Sequence, residues 1–338
     1  MKKVCSILLM LTLVFTMFAF AGCGGSDSGS AAGDDTASAE PIKMTFSCGD
    51  SDDYYMVQYL HEWADKVSEY TDGQVEIEII SNGQTSIGDE AFEAMDMGTI
   101  QGYMDAFFAP AGVDATWNIF TMPYLFDDYD HQHRVFEEKW DEISDYLAEK
   151  TGVRSVGVFD GINRNTTLNV EVNKLADLKG VKIRVPEIDG FVETWKAFGA
   201  SPVAIGFYEI YTSIQTGVVQ GQENDVALSY SMGFHEVAPY VIMTQHCPYA
   251  GCIFMDEDYY QSLPENVREA MAKASEEIYA ETVDYCTQLE ADTLKAMEED
   301  GATIIYPDLT EFREATTSVY DSLNDNAKHV KEIIDSAK

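Results

Sequence analysis

Apolar residues along this chain fall into short runs of two kinds, and the two kinds alternate. Residues 54–70 place Val57, Leu60, Trp63, Ala64 and Val67 at helical spacing, so one face of a helix is apolar. Thr71-Asp72-Gly73 supplies its stop. Residues 75–80 then put Val75, Ile77 and Ile79 at every second position, the period of a strand with one buried face. Residues 44–46 and 100–104 read as further strands, 89–97 as a short helix, 130–150 as a longer helix and 153–159 as a strand after it. The succession strand, helix, strand predicts an α/β fold with crossover connections.

The pattern continues with strands predicted at 166–170, 181–185, 203–205, 218–220, 237–244 and 252–255, and helices at 190–198 and 208–216. After Pro264 no Gly or Pro occurs until Gly301, which stands where a C-terminal cap belongs. A helix of ~36 residues would be ~54 Å long, too long for one lobe of a chain this size. Ala272, Ala274, Ala280 and Ala291 give it no sustained heptad, so a coiled coil is not indicated. A strand at 302–306 and a helix from 309 to the end complete the pattern.

The N-terminus stands apart. Lys2 and Lys3 precede the mostly apolar stretch 4–20, and Ala21-Gly22-Cys23 reads as a lipoprotein signal, with cleavage before Cys23 and a lipid on its sulfur. Phe20 stands where leucine is usual. The apolar run is too short, and its exit too rich in Gly and Ser, for a plain membrane span. Residues 1–22 are therefore assigned as signal peptide and 23–41 as a flexible tether. This predicts a protein anchored by lipid at the outer face of the cytoplasmic membrane, extracytoplasmic or periplasmic. About 300 residues remain, enough for two lobes with their own cores.

Charge narrows the partners. The formal net charge is −38, and loss of Lys2 and Lys3 makes it −40. Such a surface repels phosphate backbones, so nucleic acid is excluded as a partner. Any anion site must supply its own local positive charge. The arginines available are Arg134, Arg154, Arg164, Arg184, Arg268 and Arg313. No metal or cofactor is called for. His131 and His133, two apart at a helix start, point to different faces and read as surface residues. The cysteines lack zinc spacing. Cys247 and Cys252 either bridge outside the cell or are buried thiols. No Ser-His-Asp order, nucleophile elbow or phosphate loop is present, so no enzyme is indicated.

The most specific stretch is residues 178–224. It contains K-G-V-K-I-R-V-P, then G-A-S-P-V, Y-E-I-Y and G-Q-E-N. With N-R-N-T-T-L-N at 163–169, M-P-Y-L-F at 122–126 and L-P-E-N at 263–266, it resembles the solute-binding subunits of TRAP transporters, the tripartite ATP-independent importers of organic acids. The resemblance runs from about Ile42 to the C-terminal helix. It implies a two-lobed periplasmic-binding-protein fold of type II, with one long helix spanning both lobes. Lobe one would be 42–161 plus 250–289, and lobe two 162–249 plus 290–338. It implies an organic acid anion as ligand, bound between the lobes and delivered to the TRAP membrane subunits.

The resemblance assigns Arg184 to the ligand carboxylate, Arg164 to its support, Asn224 to an amide hydrogen bond and Phe207 to packing on the ligand. The chemistry suits Arg184, because a guanidinium and a carboxylate form two parallel charge-assisted bonds and Arg stays charged when dehydrated. Each has a plainer reading: a surface ion pair for Arg184, a helix N-cap for Asn224, a core position for Phe207. The stretch 160–163 before Arg164 is one residue longer than the usual pattern. Glu187 follows Pro186 where some relatives carry an amide, Asp89 stands where some carry an acidic contact, and Asp105 follows a strand of the other lobe. These acids would repel a second carboxylate and accept from hydroxyls, which points to a sugar acid over a C4-dicarboxylate.

Overall fold

The computed structural model describes residues 40–337. The stretches expected to be signal peptide and tether, with Cys23, lie outside them, apart from residues 40 and 41. The strands in chain order are β1 (Ile42–Cys48), β2 (Val75–Ile80), β3 (Gly102–Ala106), β4 (Val153–Asp160), β5 (Arg164–Leu168), β6 (Lys182–Val185), β7 (Ser201–Ala204), β8 (Gly221–Asn224), β9 (Tyr240–Cys247), β10 (Ala250–Asp256) and β11 (Thr303–Ile305). They form two sheets, ordered β2-β1-β3-β10-β4 and β11-β9-β5-β8-β6-β7. Each sheet is the floor of one lobe.

The chain passes between sheets twice by short direct links. One joins β4 to β5 through 161–163, and the other joins β9 to β10 through 248–249. Asp160 pairs with Ala250 in the first sheet and Arg164 with Cys247 in the second, so the two links run side by side. Strands β10 and β5, which arrive by these links, are antiparallel to their neighbours. The β1, β2 and β3 pairings, and those of β6 with β7 and β8, are parallel. Connections long enough to hold a helix turn the chain round; a two- or three-residue link cannot.

The third connection is the helix Glu265–Glu299, 35 residues long. It packs on β4 and on the helix Tyr55–Tyr70 of the first lobe, then on Val226–Ser231 and β11 of the second. Trp63, fully buried, donates its indole N–H to Ser275 Oγ at 3.0 Å on this helix. Further along, Thr282 Oγ1 accepts from the Asp160 amide at 3.0 Å, beside the first link.

Three departures from the sequence pattern are instructive. The helix expected over 130–150 is two, Tyr129–Glu138 and Trp140–Thr151, broken where Lys139 leaves helical geometry at φ −128°. The break lets Phe136 and Trp140 meet edge to face at 5.0 Å with both buried. The strand expected at 218–220 lies instead at Gly221–Asn224, while Val218 is 52% exposed in a turn. Polar Gln222 occupies a buried strand because its amide donates to Thr167 and Ser229. Finally, the helix Asp325–Asp335 packs on Ala115–Thr121 and Trp140–Thr151, elements of the first-lobe side, rather than with lobe two. Its apolar face, Ala327, Val330, Ile333 and Ile334, is buried there. No helix among the described residues is long and apolar enough to cross a membrane.

Candidate functional site

Strand β6 reads Lys-Ile-Arg-Val and alternates so that Arg184 pairs in register with Val203 of β7 and Gln222 of β8. The next residue, Pro186, has no N–H to continue the ladder. Arg184 is 4% exposed. Its Nε donates to the Ile205 carbonyl at 2.8 Å, and this is the guanidinium's only hydrogen bond to the described residues. Burial lowers the guanidinium to about 10, with the charge of Glu223 opposing. It therefore remains a cation at neutral pH, desolvated and without a bonded carboxylate. Such a group is costly to fold and well prepared to receive an anion.

Arg164, at the start of β5, is equally buried and electrostatically the opposite. Its Nε and Nη2 meet the Glu223 carboxylate at 2.7 and 2.8 Å, and Nη2 also reaches the Glu223 carbonyl at 2.8 Å. The rings of Phe108 and Phe191 lie 5.6 and 5.2 Å from the guanidinium. His246 shares the same carboxylate through Nε2 at 3.1 Å, while its Nδ1 meets Thr244 Oγ1 at 2.9 Å. Burial pushes Glu223 up, but Arg164 pulls harder and holds it near 2. Burial lowers His246, against the pull of Glu223. Arg164 is thus a bidentate, neutralised post behind the site, with only Nη1 uncommitted.

Asn224 ends β8, buried, and donates Nδ2 to Gln222 Oε1 at 2.7 Å. The helix N-cap is its neighbour: Asp225 Oδ1 accepts from the Leu228 amide at 2.8 Å. Phe207 is half-buried at the start of the turn Phe207–Glu209, packed on the small cluster of Ile210, Ile214 and Phe234. Glu187 is exposed and raises the Arg184 pKa through its charge alone. Asp105, on β3 of the other sheet, accepts from the Ala106 amide at 2.6 Å and from the Tyr103 phenol, and burial raises its carboxyl. Asp89 is the outlier, exposed in the first turn of Asp89–Asp96 with its carboxylate against Gly112.

Three residues complete the setting and were not picked out from the sequence. Asp50 is pushed up to about 7 by burial and by the charges of Asp105 and Asp225. Burial likewise raises Asp225, whose Oδ2 accepts from the Tyr54 phenol at 3.2 Å. Glu223 is the third. Asp50 hides in the run Asp50-Ser51-Asp52-Asp53, which reads as a solvated acidic surface. The cations lie on β5 and β6 of the second sheet, with Glu223 and Asp225 on the same sheet beside Arg164, and Asp50 and Asp105 lie at the ends of β1 and β3 of the first.

The remaining chemistry is structural. Cys48, Cys247, Cys252 and Cys286 are free and buried, so Cys247 and Cys252 are not bridged. Burial raises all four thiols, which makes them poor nucleophiles. His131 is buried, not on the surface, and its Nε2 meets the Ile334 carbonyl at 3.1 Å to hold the C-terminal helix. His133 pairs with Asp160 at 3.1 Å. No cluster of metal-ligating side chains occurs among the described residues. A recess of about 170 Å³ beside the links is lined by Tyr129, Gln132, Asn163 and Gln245 and does not reach Arg184.

Residues 46–326 match the family model described as bacterial extracellular solute-binding protein, family 7. The sialic acid-binding periplasmic protein SiaP of Vibrio cholerae is 30% identical over 269 residues, 78% of this chain and 82% of that protein. The C4-dicarboxylate-binding periplasmic protein DctP of Rhodobacter capsulatus is 26% identical over 295 residues, 86% of this chain and 87% of that one. A TRAP periplasmic solute-binding protein from Roseobacter denitrificans, solved with bound β-D-glucuronate, superposes with a TM-score of 0.81 at 23% identity, covering 88% of this chain and all of that chain.

Proposed function

The chain belongs to family 7 of the bacterial extracellular solute-binding proteins, and from that premise we propose that Arg184 holds the carboxylate of a sugar acid between the lobes, for delivery to TRAP membrane subunits. The observation that carries this reading is the state of Arg184: buried, charged and bonded only to a backbone carbonyl. A ligand carboxylate there forms two parallel charge-assisted bonds and supplies the missing counter-charge. Arg164 acts behind it through Nη1, and Asn224 and Phe207 border the same end. Asp50 and Asp105 face the ligand's other end, where they accept from hydroxyls and disfavour a second carboxylate. Glu187 adds negative charge at the rim. Asp89 contributes from the first lobe only if that lobe's helix Asp89–Asp96 shifts.

The division at 161–163 and 248–249 makes those links the hinge of closure, with the long helix as its third strut. Closure follows to the extent that the ligand contacts the closed form better than the open one. The family's members are receptors, and the hydroxyl of Thr244, which has the His246 imidazole beside it, is fully buried and held by Thr166 as well. A lipid on the sulfur of Cys23 and the tether at 23–41 would hold the receptor at the outer face of the membrane.

The test is thermal unfolding of the chain from Glu40 onward against uronates, aldonates, sialic acid, C4-dicarboxylates, 2-oxo acids and aromatic acids. An acid at ~100 times its dissociation constant adds ~2.7 kcal/mol to stability. The largest shift is expected from a uronate or aldonate. A larger shift from succinate or malate overturns the sugar-acid assignment and leaves the receptor standing. No shift with any acid, and no acid released on denaturation, sinks the site itself.

A further inference from the structure

The segment after β7 does two things at once. Its Ile205 carbonyl accepts from Arg184 at 2.8 Å, and three residues later Tyr208 reaches across to the other lobe. The Tyr208 phenol donates to the Gly49 carbonyl at 2.8 Å, just past the end of β1. The seat is made of two glycines. A Cβ on Gly83 would lie 2.7 Å from the phenol oxygen, and Gly83 has φ +61°, where glycine is favoured. Backbone bonds hold that seat in shape: Asn82 N–H to Asp50 O at 2.7 Å and Gly83 N–H to Cys48 O at 3.1 Å.

Tyr208 is otherwise hard to explain. It is 60% exposed, and its ring meets Phe207 edge to face at 5.5 Å. Little apolar burial holds it, so the hydrogen bond between lobes fixes its position. A second tyrosine crosses in the other direction: Tyr54 of the first lobe donates to Asp225 of the second at 3.2 Å. That pair is buried, and Asp225 is already committed to capping Val226–Ser231. Tyr54 therefore belongs to the inner seam, and Tyr208 to the mouth.

We propose that Tyr208 is a positioning residue, a clasp that joins the lobes over the carboxylate site and sets how long the ligand stays. The proposal rests on the receptor reading above. The clasp is linked to the site by a short route, since Ile205 ties Arg184 to the same turn that carries Tyr208. It contributes to the closed form alone, so its loss acts on dissociation and leaves encounter unchanged.

The experiment compares the full chain with its Tyr208→Phe variant, which keeps the ring and removes only the donor. Stopped-flow fluorescence with D-glucuronate as probe reads both rate constants. Loss of one such hydrogen bond is expected to raise the dissociation rate about 3–10-fold, with association within about 2-fold and Tm unchanged. A second arm needs no ligand. Nitroxide labels on Asp65→Cys and Glu193→Cys, one on an exposed helix position in each lobe, report the separation of the lobes. Tyr208→Phe is expected to shift that distribution towards longer distances. An unchanged dissociation rate, or an unchanged distribution, overturns the clasp. If the parent protein fails to bind glucuronate, it is the sugar-acid reading that fails, and the label pair alone decides the clasp.

Discussion

Arg164 and Arg184 are the same residue, on strands of one sheet, each 4% exposed, and they are prepared for opposite tasks. Arg164 meets a carboxylate through two nitrogens and sits between aromatic rings. Arg184 has a single backbone carbonyl. The difference shows in their acidity: Glu223 keeps Arg164 above its ordinary value, whereas burial brings Arg184 down to about 10. Burial alone therefore does not distinguish the two. On the reading proposed above, the ligand-binding arginine is the one buried with its counter-charge withheld. A protein spends stability on such a group only where something else will neutralise it.

Replacing Arg184 is the strongest way to break this contrast. Arg184→Ala is expected to abolish detectable binding of the organic acid, a loss of about 5 kcal/mol at the upper end for one partner of a buried charged pair. Isothermal titration measures it. Because the variant also removes a desolvated cation, Tm is expected to hold or rise. A variant that binds normally would show that the carboxylate docks elsewhere. The matching change at Arg164 should do the reverse, lowering Tm first, since it strands Glu223 beside His246.

Glu223→Gln sharpens the comparison from the other side. It leaves Arg164 buried without its countercharge, at a cost of about 3 kcal/mol, the low end for breaking a buried pair because Gln still offers one acceptor. The pH dependence carries the same signature. Glu223 titrates near 2 when folded, below its ordinary 4.5. Its stabilisation is complete above about 4.5 and is lost as pH falls from there towards 2. Tm measured from pH 6 to pH 2 should therefore fall less in Glu223→Gln than in the parent. Equal acid slopes in the two proteins would mean that the Arg164 pair is not what holds Glu223 down.

The two arginines were not equally legible. Arg184 was, because an apolar strand ends on it and Pro186 follows, so its place at a strand end could be read locally. The state of Arg164 was not, because Glu223 is 59 residues away and meets it only through the pairing of β5 with β8. That strand was itself misplaced by three residues. Its polar side chains satisfy one another inside, so the alternation of apolar positions that reveals most strands is missing. The long helix was legible from the lack of Gly and Pro between Pro264 and Gly301, and Glu265–Glu299 matches it closely. The acids of the first lobe were legible only in part. Asp105 follows a recognisable strand, but Asp50 becomes distinctive only once β1 and β3 pair and bring it near Asp105 and Asp225.

Asp50 gives the smallest of these effects and the one that tests the acidic side of the contrast. Burial, then Asp105 and Asp225, push it up to about 7 from 3.8. A raised carboxyl has the opposite linkage to Glu223. Between about 3.8 and 7 the folded protein binds more protons than the unfolded one, so this group makes stability fall as pH rises through that window. Above 7 the penalty is complete. Asp50 is only partly buried by its accessible surface, so solvent screens much of that penalty; Asp50→Asn removes what is left, and at pH 8 should raise Tm by about 2–4 °C, equivalent to about 1 kcal/mol. At pH 4 the variant and the parent should unfold together. A variant stabilised equally at both pH values would show that Asp50 is ionised throughout. Asp50 would then stand as a full charge beside Asp105, and on the proposed reading a ligand hydroxyl would meet a stronger acceptor there.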